Sequence, residues 1–150
     1  MTDCKPCDTP LVSKSTASDF DTGEHFEGPY RELVGALLYL AMTTRPDILY
    51  SVNCFGQLQE QPTVATWAGL KRVLRYLKGT LELKLFFPKC SNDEIVISLY
   101  GNADWGANLR DRKSISCYIL MLNNCTIIWN VTKQTSIALS SIEAERFYPN

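Results

Sequence analysis

At Gly79 the apolar residues of this chain change their period, and a pattern that switches from helical to extended cannot be satisfied by one kind of layer. Before the switch, Leu33, Val34, Leu37, Leu38, Leu40 and Ala41 recur at helical spacing on a nearly all-apolar segment that begins at Tyr30. This predicts a helix buried on most sides. Thr43-Thr44-Arg45-Pro46 breaks it, and Pro46 suits the first turn of a second helix with Ile48, Leu49, Val52 and Phe55 facing inward. Gln59-Glu60-Gln61-Pro62 ends that helix. Thr63 is placed to cap a third, running to Gly79, with Leu70, Val73, Leu74 and Leu77 on one face. Lys71, Arg75 and Lys78 line its opposite face as a basic stripe, which is a solvated charged surface more often than a phosphate track.

After Gly79 the apolar residues alternate. Leu81, Leu83, Leu85 and Phe87 form one extended run, and Ile95, Ile97 and Leu99 another; Ser116 to Leu122 and Cys125 to Val131 follow. The last two flank Asn123-Asn124, a tight hairpin turn because Asn tolerates positive φ. The expectation is a three-stranded antiparallel meander, then a helix that begins after Gln134-Thr135-Ser136. The fold class is therefore α/β in an α+β arrangement: residues 1–29 a largely irregular linker, 30–80 helical, and 81–150 the sheet and the start of a helix.

The linker reading rests on Pro6, Pro10 and Pro29, the Ser and Thr content, and the acidic patch Asp19, Asp21, Glu24 and Glu27. A formal charge of -1 over 150 residues removes the simplest argument for a nucleic-acid binder, which usually carries a clear cationic excess. No apolar run approaches the length of a bilayer span, and the first residues hold no apolar core of a secretion signal. Cys4, Cys7, Cys54, Cys90, Cys117 and Cys125 lack the dense spacing of a disulfide scaffold and read as buried reduced thiols. Cys4-x-x-Cys7 supplies two ligands where structural zinc takes four, and the single histidine, His25, lies in a polar stretch.

Several motifs carry a family resemblance that covers nearly the whole chain. Asp3-Cys4-Lys5-Pro6 with Thr9-Pro10-Leu11, Leu33-Val34-Gly35 with Leu38-Tyr39-Leu40, and Thr44-Arg45-Pro46-Asp47-Ile48 are three of them. Lys71-Arg72-Val73-Leu74-Arg75-Tyr76-Leu77-Lys78-Gly79-Thr80, Tyr100-Gly101-Asn102-Ala103-Asp104-Trp105, and Ala138-Leu139-Ser140-Ser141 with Glu143-Ala144-Glu145 are the others. The chain resembles the Pol polyprotein of Copia-type retrotransposons, from the end of reverse transcriptase into RNase H. The resemblance implies that the three helices are the reverse-transcriptase tail, whose basic face would lie beside a template-primer duplex, and that the strands open an RNase H fold.

RNase H chemistry of that family uses two divalent ions, Mg²⁺ by its preference for hard oxygen, clamped by carboxylates. Its leading metal-bridging aspartate falls on Asn102 and a second carboxylate on Glu145; the third would lie beyond residue 150. Asp104 and Glu143 are then at most weak metal contacts, and as readily surface carboxylates. Cys117 replaces the family's glycine and Arg146 its aromatic residue, and Pro149 would halt the last helix. The expectation is a non-catalytic chain with no cofactor, little packing between helices and sheet, and a first strand whose exposed edge, Ile95 to Tyr100, invites self-association.

Arg72-Val73-Leu74-Arg75 also fits R-x-L-R, the translocation tetrapeptide of secreted oomycete effectors, and the chain is similar to a Copia-derived sequence classed among them. The function expected first is a secreted RxLR-type effector that enters host plant cells, reaches cytoplasm or nucleus, and suppresses defence or cell death through unknown host proteins. The alternatives are an inactive, cytoplasmic retrotransposon remnant, weak Mg²⁺-dependent RNase H activity, or weak nucleic-acid contact through Lys71, Arg75 and Lys78. No membrane partner is expected.

Overall fold

The computed structural model describes residues 3–13, 15–89, 95–106, 108 and 111–146. It divides into two compact units, Met1–Leu83 and Lys84–Asn150.

The first unit is built on three helices: α1 (Tyr30–Thr43), α2 (Leu49–Gly56) and α3 (Val64–Gly79). As Pro46 suggests, α2 is entered through a 3-10 turn at Pro46–Ile48. Thr63 caps α3 reciprocally: its Oγ1 accepts from the Thr66 N–H at 3.1 Å while the Thr66 Oγ1 accepts from the Thr63 N–H at 2.8 Å. The core of the unit is Tyr30, Val34, Leu37, Ala41, Ile48, Leu49, Val52, Phe55, Leu70 and Val73.

α1 is not buried on most sides. Tyr30, Val34, Leu37 and Ala41 face inward, whereas Leu38, Tyr39 and Met42 are exposed. Two neighbouring helices cover one stripe of a helix, so a segment that is apolar all round exceeds what this unit can cover. On α3 the inward face is Thr66, Gly69, Leu70, Val73 and Tyr76, with Leu74 and Leu77 half-buried. Gly69 allows the closest approach, because a Cβ there would overlap the Phe55 ring. That ring is held edge-on by Phe20 at 5.2 Å.

Arg45 joins the helices. Its guanidinium donates to both Asp47 oxygens at 2.9 and 2.7 Å, and to the Thr80 carbonyl and Oγ1 at 3.2 and 2.6 Å. It also lies 5.7 Å from the centre of the Tyr76 ring. Burial opposes the Asp47 charge, but the bonds from Arg45 and Tyr76 outweigh it and hold the carboxyl below its ordinary range.

Among residues 1–29, those that are described contain one short 3-10 helix, Ala17–Phe20, and otherwise irregular backbone tied to α3. Phe26 stacks on Trp67 at 4.5 Å, the Val64 N–H donates to the Glu24 carbonyl at 2.9 Å, and Thr63 donates its hydroxyl to the Phe20 carbonyl at 2.8 Å.

In the second unit β1 (Ile97–Asp104), β2 (Ile115–Leu122) and β3 (Cys125–Lys133) form an antiparallel sheet in the order β1-β2-β3. This is the expected meander. Asn123 and Asn124 make its turn with φ of 47° and 63°. The side-chain oxygen of Asn123 accepts from the Val96 N–H at 2.7 Å, and its own N–H donates to the Val96 carbonyl at 2.8 Å. The alternating run Leu81 to Phe87 forms no strand: Leu81, Leu83, Phe86 and Phe87 stay exposed. Among the described residues it has no ladder partner, and alternation without one gives no burial. α4 (Ser141–Arg146) closes the described chain. Pro149 and Cys90 lie outside the described residues.

Two outcomes follow from this packing. Gly69→Ala, which in an open helix would add stability by about 1 kcal/mol, is expected here to lower it by about 1–3 kcal/mol through overpacking against Phe55; urea denaturation followed by helical circular dichroism checks it. Arg45→Gln is expected to cost about 3 kcal/mol, since it strands Asp47 without its charge partner. Because the folded carboxyl titrates below its unfolded value, its contribution is present above about pH 4 and is lost as pH falls through the folded value. Melting temperatures across pH 2–7, taken roughly at the carboxylate range, should therefore show a smaller acid-dependent drop for the variant than for the parent.

Candidate functional site

β1 persists through Asp104, so strand alternation puts Asn102 and Asp104 on one face of the sheet. Both are exposed. Asn102 pairs with Cys117 and Asp104 with Ile115, whereas Ala103 pairs with Ser116 and shares the other face with it. α4 is anchored on that other face. Gln134 donates through one amide nitrogen to the Ser116 Oγ and to the Ala144 carbonyl, each at 2.7 Å, and Ala144 is buried. The Trp105 indole N–H donates to the Ala138 carbonyl at 2.9 Å, fixing the approach to the helix.

Glu143 is a capping group. Its carboxylate accepts from the Leu139 N–H at 2.6 Å while its own N–H donates to the Ser140 Oγ at 3.1 Å. Ser140-x-x-Glu143 is thus a variant of the capping box that starts α4. Glu145 is exposed on the same helix. Asn102 and Asp104 share a face, as do no other members of the candidate set: the helix that carries Glu143 and Glu145 is tied to the opposite side. Among the described residues no three of His, Cys, Asp and Glu stand close enough to hold a metal ion.

The cationic face of α3 is occupied. Arg72 donates from Nε to the Thr9 carbonyl at 3.2 Å and from Nη2 to the Thr9 hydroxyl at 2.9 Å. Arg75 donates to the Lys5 carbonyl at 2.6 Å and Lys78 to the Cys4 carbonyl at 2.9 Å. The Cys7 N–H returns a bond to the Arg75 carbonyl at 3.4 Å. Residues 4–9 therefore run along α3 as an antiparallel strap. Pro6 meets Gly79, where a Cβ would come within 3.0 Å of the Pro6 Cβ. Lys71 is exposed beside it.

The tetrapeptide Arg72-Val73-Leu74-Arg75 is correspondingly closed: it is helical, Val73 is buried, Leu74 is half-buried, and both arginines are bonded to the strap. Sequence reasoning missed the strap because any residue type supplies a carbonyl. Pro6 and Pro10, which keep the backbone extended, were its only trace. Cys54 is buried as a thiol should be, but Cys4, Cys7, Cys117 and Cys125 are half-buried, because the strap and the sheet faces are covered on one side only. His25 forms an isolated bridge with Thr63 rather than approaching the cysteine pair.

No protein-family model matches the chain, and no solved structure does. Among curated proteins it is similar to the Uncharacterized mitochondrial protein AtMg00810 of Arabidopsis thaliana, 37% identical over 145 residues covering 97% of this chain and 59% of that protein. It is 39% identical over 147 residues to the Retrovirus-related Pol polyprotein from transposon RE2 of the same plant, covering 97% of this chain and 10% of the polyprotein. The Secreted RxLR effector protein 161 of Plasmopara viticola is 39% identical over 117 residues, 78% of this chain and 81% of that protein. The chain thus spans about six-tenths of one of these relatives and about a tenth of another. By these likenesses the chain belongs to the Copia-type retrotransposon Pol family.

Proposed function

We propose that this chain is a non-catalytic remnant of a Copia Pol polyprotein, and that its surviving chemical capability is a weak, sequence-independent contact with nucleic acid through the cationic face of α3. The observation that carries the loss of catalysis is Asn102. Two-metal hydrolysis needs carboxylates that hold two dications a few ångströms apart. An amide offers a single oxygen without formal charge, which cannot offset them as a bridging carboxylate does. The neighbouring carboxylates do not replace it: Glu143 is committed to the start of α4, and α4 is anchored across the sheet from Asn102. What remains is Arg72, Arg75 and Lys78 with Lys71 beside them, a short cationic row whose affinity for a phosphate backbone falls steeply with salt.

A second reading is favoured by one observation, the likeness to the Plasmopara viticola effector. Under it the chain would be secreted, enter host plant cells and suppress defence or cell death through a host protein. Its tetrapeptide would first have to leave the helix and the strap. The loss of catalysis argued from Asn102 needs no such rearrangement.

Two experiments separate these readings. Incubated with an RNA:DNA hybrid and Mg²⁺, the chain is expected to leave the RNA strand intact, and Asn102→Asp alone is expected not to restore cleavage; Mg²⁺-dependent cleavage abolished by Glu145→Ala would overturn the proposal. Expressed in plant cells together with a cell-death elicitor, the chain is expected to leave the death response unchanged. Suppression that is lost in an Arg72→Ala/Arg75→Ala variant would establish the effector reading in its place.

A further inference from the structure

The three cations that a phosphate backbone would meet are the three that hold residues 4–9. Arg72, Arg75 and Lys78 sit at i, i+3 and i+6 of α3, on one face of the helix. Each donates to a peptide oxygen: Thr9, Lys5 and Cys4 in turn. These oxygens occupy the positions that phosphate oxygens would take. We propose that the strap is a built-in competitor, so that α3 binds the phosphate backbone of nucleic acid only when residues 4–9 have lifted off. This inference rests on the nucleic-acid reading above and adds its regulation.

The chemistry favours exchange over permanent closure. A peptide carbonyl is a neutral acceptor, whereas a phosphate oxygen is charged and adds ion-pair attraction to the hydrogen bond, and a guanidinium can grip phosphate through two parallel bonds. The strap lies largely at the surface, with Lys5, Pro6, Asp8 and Thr9 exposed. Its backbone return bond, from the Cys7 N–H to the Arg75 carbonyl, is long at 3.4 Å, and Cys4 and Cys7 are only half-buried. No apolar anchor of the kind that Phe20 and Phe26 provide farther along occurs between Cys4 and Thr9. Polyanion and strap therefore compete for one set of donors.

The energetic consequence is a simple factor. A strap closed nine-tenths of the time lowers the apparent affinity about tenfold relative to the open face. Lys71, exposed outside the strap contacts, supplies a first point of attraction without opening anything. Binding should therefore show two components: a weak encounter that leaves the strap in place, and a tighter state in which it is displaced.

The full chain suffices for the test, with fluorescein-labelled oligo(dT) as the probe. Cys7→Pro removes the N–H that bonds to Arg75, and Thr9→Val removes the hydroxyl that Arg72 reaches; together they loosen the strap without touching a cation. Gly79→Leu loosens it independently by crowding Pro6. Both variants are expected to bind about tenfold more tightly in low salt, with helical circular dichroism unchanged. Adding Arg72→Gln, Arg75→Gln and Lys78→Gln should abolish the gain.

If instead the variants bind no more tightly than the parent, the strap is not a competitor, although the nucleic-acid reading survives. If neither parent nor variants bind at all, both fall. Should the variants lose their helical signal, the parent chain decides alone, through alkylation of its thiols mapped by mass spectrometry. Saturating oligo(dT) is expected to speed modification of Cys4 and Cys7 several-fold while Cys54, buried between helices, stays unreactive. Unchanged rates at Cys4 and Cys7 in the bound state would overturn the proposal.

Discussion

The bond set around Arg45 is what makes a unit of three short helices. α1 and α2, with 14 and 8 residues, lie in or below the length range where isolated helices are marginal in water, and α3 with 16 barely exceeds it; α1 turns into α2 over a few residues that include a proline. A planar guanidinium answers that geometry. Its fork grips Asp47 within the turn, its remaining donors reach the end of α3 at Thr80, and its face lies against Tyr76. One side chain thus closes the last turn of α3, orients the entry to α2 and neutralises the carboxylate there. A lysine would supply the charge without the fork.

Local features were legible in the sequence, and those that depend on main-chain atoms far away were not. Pro46 at the start of α2, Thr63 at the cap of α3 and Asn123-Asn124 at the hairpin each act on their own neighbours, so residue type alone reveals them. The burial of α1 was overread, since an apolar segment states what a helix is able to cover and not how many partners it has. Leu81 to Phe87 failed for the same reason: alternation describes a strand only when another strand lies beside it. Beyond Pro6 and Pro10 the strap left little trace, because its acceptors, the Thr9 hydroxyl apart, are carbonyls, which carry no sequence signature.

The candidate site divides in the same way. That Asn102 and Asp104 share a face follows from period two and could be read directly. The capping role of Glu143 is likewise a local one, because Ser140-x-x-Glu143 is a helix-start pattern. That α4 is anchored across the sheet depends on Gln134, whose amide bonds Ser116 and the Ala144 carbonyl. Its other amide atom, Oε1, is buried and has no hydrogen-bond partner among the described residues. No pattern in the sequence singles out that residue. A family's motif fixes the order of its elements, while the capacity for chemistry depends on the few side chains that hold one element against the next.

The paired bonds between Asn123 and Val96 reach further than the turn they belong to. Asn123 lies in the connection between β2 and β3, and Val96 is the residue just before β1. A single residue therefore pins the ends of two strand pairs at once. If β1 slid by one position it would lose both bonds, and every side chain along it would change sides. Asn102 and Asp104 would then stand on the face that holds α4, and Ala103 would leave it. The orientation of the strand that carries Asn102 and Asp104 is in this sense written in a turn some twenty residues away, and a chain that keeps the turn keeps those two side chains on one chosen face.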